Sequence, residues 1–333
     1  MTNRSVLAEA LLSQAGWAKA RRETLAGDAS RRRYERLTDS QSGRTAVLMD
    51  AAPELGEDVE SFVHIDKILR SMGLSAPEVL AQDTQHGFLL LEDLGDNLFA
   101  RLLETRPEME RELYEAATDV LIALHAAEAP TLDSYGPTRM AEACTLAFTA
   151  YADVLRTPDP ENRDRFEARF EDILQSSTQG QRVLMLRDYH AENLIWLPDR
   201  EGIARVGLLD FQDAMLAHPA YDLVSLLQDI RRDVPAGIEM RMIDRYISAT
   251  GVDDHAFRTA YAVLGVQRNL RILGVFARLG HEYGKPRYLD MIPAVWDHVV
   301  RGLDHPALVS VSELVHDGLP APTKDVLDRL RRS

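Results

Sequence analysis

Between two short apolar runs, Arg182–Leu186 and Leu194–Leu197, the chain carries the polar loop Arg187-Asp188-Tyr189-His190-Ala191-Glu192-Asn193. Short apolar runs bounded by polar residues read as buried strands, so the spacing predicts a loop held at both ends by sheet. A third run, Ile203–Leu209, ends at Asp210, and Pro198-Asp199-Arg200-Glu201-Gly202 before it reads as a hairpin turn. That hairpin is expected to return Asp210 to the end of the sheet that carries Asp188 and Asn193. A fold open to this chain must therefore hold two acids and an amide on a strand–loop–strand unit near its middle.

The pattern changes along the chain. Residues 5–15 read as a short helix. The turn at Gly27-Asp28, the run Arg31-Arg32-Arg33 and the apolar Thr45–Met49 suggest a hairpin. Val59, Phe62, Val63, Ile65, Ile68 and Leu69 recur at helical period over 57–72, and Gly87–Leu91 is a further strand. After Leu94-Gly95-Asp96 the chain turns helical, over 108–127, 160–177 and most of the stretch beyond 220. The expected architecture is α+β in two lobes, a small mixed lobe over 1–94 and a larger helical lobe over 95–333.

Charge narrows the partners. Lys and Arg total 38 against 53 Asp and Glu, a formal charge of −15, which disfavours nucleic acid and anionic membranes. Cys144 is the single cysteine, so neither an intramolecular disulfide nor a thiolate cluster for zinc is available. No run approaches the roughly 18 apolar residues of a membrane span, and Met1–Gly16 lacks the apolar core of a secretory signal. A cytoplasmic monomer acting on a small molecule is expected.

Asp188 and Asn193 are five residues apart, the spacing of the protein-kinase catalytic loop, and Asp210-Phe211 begins a D-F-G-like triplet. Phosphoryl transfer needs cations on the phosphates, oxygen ligands to hold them, and a carboxylate that accepts the proton of the attacking hydroxyl. Asn193 and Asp210 are oxygen ligands suited to Mg²⁺, and Asp188 is left as the base. The rival metal reading, a hydrolytic cluster of Asp188, His190 and Glu192, lacks the ligand spacing of a zinc site.

The pattern Asp188-x-His190-x-x-Asn193, with Leu209-Asp210-Phe211 and the later His218-Pro219-Ala220-Tyr221-Asp222-Leu223, resembles the aminoglycoside phosphotransferase and choline-kinase branch of the kinase-like fold. Several further segments are similar to bacterial anomeric kinases of the cell-wall amino sugars N-acetylmuramate and N-acetylglucosamine. They are Gly27-Asp28-Ala29-Ser30 with Arg33-Tyr34, Leu91-Glu92-Asp93-Leu94-Gly95, Phe211-Gln212-Asp213-Ala214, and Val275–Leu279 followed by Gly284-Lys285. The resemblance spans roughly residues 20–300 and implies a two-lobed protein-kinase-like fold with its site between the lobes. It further implies ATP and Mg²⁺ as cofactors and transfer to the C1 hydroxyl of the sugar. Residues 1–94 become the nucleotide-binding lobe and 95–333 the catalytic and substrate lobe. Ser30, Arg33, Glu92, Asp93 and Leu94 are then expected at the nucleotide, the last three as the adenine hinge. His190, Asp213 and Arg268 are expected at the acceptor.

Two departures stand out. Leu186 occupies the place of the His that usually opens the kinase loop, and Ala46–Asp50 has no Lys for the phosphates. With Met49 there, Glu60 loses its usual partner, and of the three neighbouring arginines Arg33 is the favoured substitute. Several residues have bland readings beside the sharp ones: His190 as a brace of the loop, and Asp213 and Asp222 as helix caps. Arg268 shares a helical face with Phe257, Tyr261, Leu264, Ile272 and Val275, so it needs an anionic partner, either an internal acid or a substrate carboxylate. The alternatives are another small-molecule kinase, of aminoglycoside or choline type, and a nucleotide-binding protein without catalysis.

Overall fold

The computed structural model describes residues 4–25 and 32–332. Packing groups the chain into two compact units, Met1–Val120 with Ala191–Ala214, and Leu121–His190 with Met215–Ser333. The first unit opens with helix α1 (Arg4–Gln14) and strands β1 (Arg21–Leu25), β2 (Arg33–Thr38) and β3 (Thr45–Asp50). Helix α2 (Val59–Ser71), capped by the Asp58 side chain on the N–H groups of Glu60 and Ser61, leads to β4 (Val79–Asp83) and β5 (Phe88–Glu92). The five strands form one antiparallel sheet in the order β1-β2-β3-β5-β4.

One face of this sheet is apolar. Leu37, Ala46, Leu48, Phe88 and Leu90 alternate onto it and pack with Ala8, Leu11, Leu12 and Trp17. The period of two that sends them there sends Tyr34, Val47 and Met49 to the other face. Arg4 fastens α1 to the sheet: its guanidinium lies 4.3 Å over Phe88 and hydrogen-bonds Asp50 and the His86 carbonyl. The sequence pattern predicts two strands before α2, and the described residues form three. The extra one, β1, is Arg-Arg-Glu-Thr-Leu with its first four residues exposed, an edge strand with no apolar alternation to betray it.

Helices α3 (Phe99–Thr105) and α4 (Glu110–Ala126) follow, and α4 runs from the first unit into the second. The change of pattern at 94–97 is thus the change from sheet to helix, while residues 95–120 pack with the sheet-bearing unit. The second unit continues with α5 (Pro137–Leu146), a π-helical turn (Ala147–Ala152), α6 (Asp153–Leu155), α7 (Pro160–Ser177) and strand β6 (Val183–Met185). The chain then re-enters the first unit as the hairpin β7 (Leu194–Trp196) and β8 (Val206–Leu208), before β9 (Met215–Ala217), which pairs with β6. The strand expected over Ile203–Leu209 is shorter: Gly202–Arg205 is a 3₁₀ turn, and Asp210 lies two residues past β8.

Helices α8 (Ala220–Leu227), α9 (Ala236–Thr250), α10 (Asp254–His281), α11 (Ile292–Leu303), α12 (Val309–Gly318) and α13 (Lys324–Leu330) complete the second unit. The 28-residue α10 is its axis, buried without a break from Val263 to Leu270. Among the described residues no helix is long and apolar enough to cross a membrane.

At Gly274, α10 meets the turn after α5 backbone to backbone: a Cβ there would lie 2.5 Å from the Leu146 carbonyl carbon and 2.7 Å from the Ala147 nitrogen. Ala in a helix ordinarily stabilises by about 1 kcal/mol over Gly. Gly274→Ala is instead expected to lower stability by about 1–3 kcal/mol, read as a lower urea midpoint at unchanged slope. A midpoint at or above wild type contradicts this crossing.

Candidate active site

The loop after β6 is fastened from beneath by one carboxylate. Asp222, in the first turn of α8 and 1% exposed, accepts the backbone N–H of Leu186 at 2.6 Å and of Arg187 at 2.9 Å. Arg187 takes the left-handed conformation, φ 73°, which a side-chain-bearing residue adopts only when its surroundings hold it there. Its carbonyl accepts from the Ser225 hydroxyl, and the Asp188 N–H closes onto the Leu186 carbonyl at 2.9 Å. Leu186 itself is buried at 3% exposure. The support expected of a His at that position therefore comes from the α8 carboxylate. Asp222 is not the helix cap expected of it: Pro219 stands at the start of α8, and the Asp222 oxygens are turned to the loop amides instead. Burial raises the Asp222 pKa to about 7, against the pull of the two N–H donors.

Around Asp188 the second unit gathers buried charge. Its carboxylate acts electrostatically on Tyr221, Asp222, Arg268 and Arg271. Arg268 is 4% exposed, and among the described residues its Nη1 has no hydrogen-bond partner. Burial lowers its pKa, while Tyr221, Asp188 and Asp229 favour its charge. His190, also buried, is pushed well below its usual pKa, first by burial and then by Arg231 and Arg268, so its ring is neutral. Its Nε2 lies 3.4 Å from Arg231 Nη1. An arginine only donates, so at this contact Nε2 is the acceptor.

The first unit holds Asn193 and Asp210, the two residues expected as oxygen ligands. In the β7–β8 hairpin Leu194 stands opposite Leu208, and the Leu209 N–H donates to the Asn193 carbonyl at 3.0 Å. Asn193 and Asp210 are thereby brought to the same end of one hairpin. Asp210 is also left-handed, φ 56°, a conformation Asp tolerates better than most. Its Oδ1 accepts from Gln212 Nε2 at 2.9 Å and lies 3.5 Å from Arg32 Nη1. Phe211 is fully buried, its ring 4.7 Å from that of Phe62 on α2. Asp213 is exposed.

The other expected nucleotide residues divide. Ser30 and the rest of Gly27–Arg31 lie outside the described residues. Arg33 is the exposed first residue of β2, and the guanidinium beside Asp210 belongs to Arg32. At the end of β5, the Glu92 carboxylate is taken by Arg200, and Asp93 by Arg36 and the Gly95 N–H. Both side chains are thus engaged in bracing the segment. Leu94 packs against Gly207, where a Cβ would come within 3.0 Å of its methyl. Glu60 is exposed, and Arg32 is paired instead with Glu57, at 2.6 Å. That pairing was not read from the sequence.

Among the described residues no three His, Cys, Asp or Glu side chains are grouped to hold a metal. One amide and one carboxylate at a hairpin end nevertheless fit Mg²⁺, a hard cation that keeps several of its waters.

A family model described as the phosphotransferase enzyme family matches residues 21–261. The chain belongs to that family. It is 39% identical to a Caulobacter vibrioides protein named N-acetylmuramate/N-acetylglucosamine kinase, over 97% of this chain and 99% of that one. Among solved structures, a Plasmodium vivax ethanolamine kinase shares the fold with a TM-score of 0.64 at 13% identity, covering 93% of this chain and 91% of the other. An aminoglycoside phosphotransferase from Streptomyces rimosus, in complex with ADP and streptomycin, aligns with a TM-score of 0.51 at 17% identity, over 81% and 99%. The α+β, kinase-like fold expected from the motifs is therefore the fold of this phosphotransferase.

Asp222→Asn turns one acceptor into a donor facing a backbone N–H, and is expected to cost about 1–3 kcal/mol of stability. Folded Asp222 holds its proton up to about 7, while an unfolded Asp releases it near ~3.9. Folding thus takes up a proton between these values, and the residue's contribution to stability falls as pH rises through that window. The gap in urea midpoint between the wild type and Asp222→Asn is expected to narrow from about pH 4 to about pH 7. A gap that stays constant contradicts the buried carboxyl.

Proposed function

We propose that this phosphotransferase moves the γ-phosphoryl group of ATP, with Mg²⁺, to the anomeric C1 hydroxyl of N-acetylmuramate, N-acetylglucosamine or both. The product is the sugar 1-phosphate, formed in the cytoplasm by a monomer and returned to cell-wall precursors. The observation that carries this reading is the 39% identity, over nearly the full length of both chains, to a relative whose name states those two sugars. The loop Asp188–Asn193 and the hairpin that ends on Asp210 supply chemistry that suits it.

In this reading Asp188 accepts the proton of the attacking hydroxyl. An anomeric hydroxyl is more acidic than an ordinary alcohol, so a carboxylate is an adequate base. Asn193 and Asp210 would hold Mg²⁺, which would supply positive charge against the negative charge that develops on the transferring phosphoryl group. Residues 1–94 bind the nucleotide, with the backbone of Leu90–Leu94 meeting the base. Residues 95–333 carry the base and the acceptor contacts.

Arg268, His190 and Asp213 contact the acceptor. The buried guanidinium of Arg268 suits a carboxylate, which N-acetylmuramate carries on its lactyl group and N-acetylglucosamine lacks. Neutral His190 keeps the loop in place without adding a third positive charge.

A panel of amino sugars, aminoglycosides and choline, incubated with the enzyme and Mg-ATP and read for ADP, tests the acceptor. ADP release dependent on an N-acetylated amino sugar is expected, and release only with choline or an aminoglycoside overturns the reading. Asp188→Asn is expected to fold, bind nucleotide and lose turnover by about 10²–10⁴-fold. Near-normal turnover removes Asp188 from the mechanism.

A further inference from the structure

Strand β3 offers no cation to a triphosphate. Ala46-Val47-Leu48-Met49 is apolar, and Met49, 1% exposed, stands opposite Tyr34 of β2. Kinase-type sites place a strand lysine there, oriented by a glutamate of the neighbouring helix. Here the guanidinium of Arg32, at the entrance to β2, occupies a comparable setting. Its Nε donates to Glu57 at 2.6 Å, and its Nη1 lies 3.5 Å from Asp210 Oδ1. Both members of the Arg32–Glu57 pair are nearly enclosed, their side chains 11% and 14% exposed, while Asp210 remains 46% exposed.

The pair is held by the helix behind it. Glu57 directly precedes Asp58, the residue that caps α2, so its backbone is fixed by the start of that helix. Five residues on, Phe62 of the same helix packs on Phe211, the neighbour of Asp210. The contacts close a ring: Arg32 to Glu57, along α2 to Phe62, onto Phe211, and through Asp210 back to Arg32. Burial opposes the charge of Arg32, but Tyr34, Glu57 and Asp210 more than offset it. An arginine can serve in such a ring because its planar fork presents separate edges, one to be held and one to bind.

We propose that Arg32, positioned by Glu57, is the cation that meets the phosphate groups of the nucleotide, replacing the strand lysine that this chain lacks. Arg32 would touch the phosphates themselves, and Glu57 would act only through Arg32. The inference rests on the nucleotide reading of the preceding subsection.

The test is equilibrium binding to the full-length protein, with ATP and adenosine titrated separately by calorimetry in the presence of Mg²⁺. Arg32→Met is expected to raise the ATP Kd by about tenfold or more and to leave the adenosine Kd within about twofold, since the base and ribose contacts are untouched. Unchanged adenosine binding also reports that the variant is folded. Glu57→Gln is expected to weaken ATP by a smaller factor, and Arg32→Met with Glu57→Gln to match Arg32→Met alone, because Glu57 acts through the arginine. Arg32→Lys, which keeps the charge without the fork, is expected to fall between wild type and Arg32→Met. An ATP Kd unchanged in Arg32→Met, or ATP and adenosine weakened equally, overturns the proposal while leaving the nucleotide reading in place. Additive effects of the two substitutions overturn the part given to Glu57. A wild-type protein that binds no ATP overturns the nucleotide reading and this inference together.

Discussion

A buried carboxylate accepting two consecutive backbone N–H groups is the constraint on which the loop carrying Asp188 depends. Without Asp222, the amides of Leu186 and Arg187 would be buried donors with nothing to bond, at a cost of about 1–3 kcal/mol each. With it, Arg187 is held in the left-handed conformation, and the chain turns sharply enough to present Asp188 in the next position. The carboxylate also explains why Leu186 is tolerated. The loop needs an anchor at that point, and a helix from the same unit provides it by hydrogen bonds to main chain, so the side chain at 186 is released to pack in the core.

The same economy of means recurs at the other acid. Asp210, like Arg187, sits at a left-handed residue just past a short strand. There the anchor is apolar: Phe211 is enclosed and packed on Phe62 of α2. In a chain of net charge −15, arginines are placed against the acids that matter. Arg32 stands by Asp210, Arg36 ties down Asp93, and Arg200 ties down Glu92. Arg268 and Arg271 offset the field of Asp188. Local pairing, and not the overall charge, determines what each site presents to a phosphate or a carboxylate.

Much of this was legible in the residues. The long helices followed from period 3.6, and the burial of Arg268 followed from its place on an apolar stripe of α10. The hairpin that brings Asn193 and Asp210 together was implied by two apolar runs around a Pro-Asp and Gly turn. What escaped has physical reasons. Strand β1 is polar and nearly all exposed, so its hydrogen bonds, not its side chains, make it a strand. Between Arg32 and Arg33, the residue that reaches Asp210 is decided by the phase of β2. That phase is set by the pairing of Tyr34 with Met49, which no local pattern reveals. Glu57 was hidden for a related reason: the helical period was read from 57 onward, so it passed for the polar first residue of that helix, and nothing local pairs it with Arg32.

The most direct test of the central claim is phosphorus NMR of the product formed from Mg-ATP and N-acetylmuramate or N-acetylglucosamine. A phosphate at C1 gives a signal split by the single C1 proton, and it is lost on mild acid treatment. That is the result expected here. An acid-stable ester, with its phosphorus coupled to protons of another sugar carbon, contradicts transfer to the anomeric oxygen.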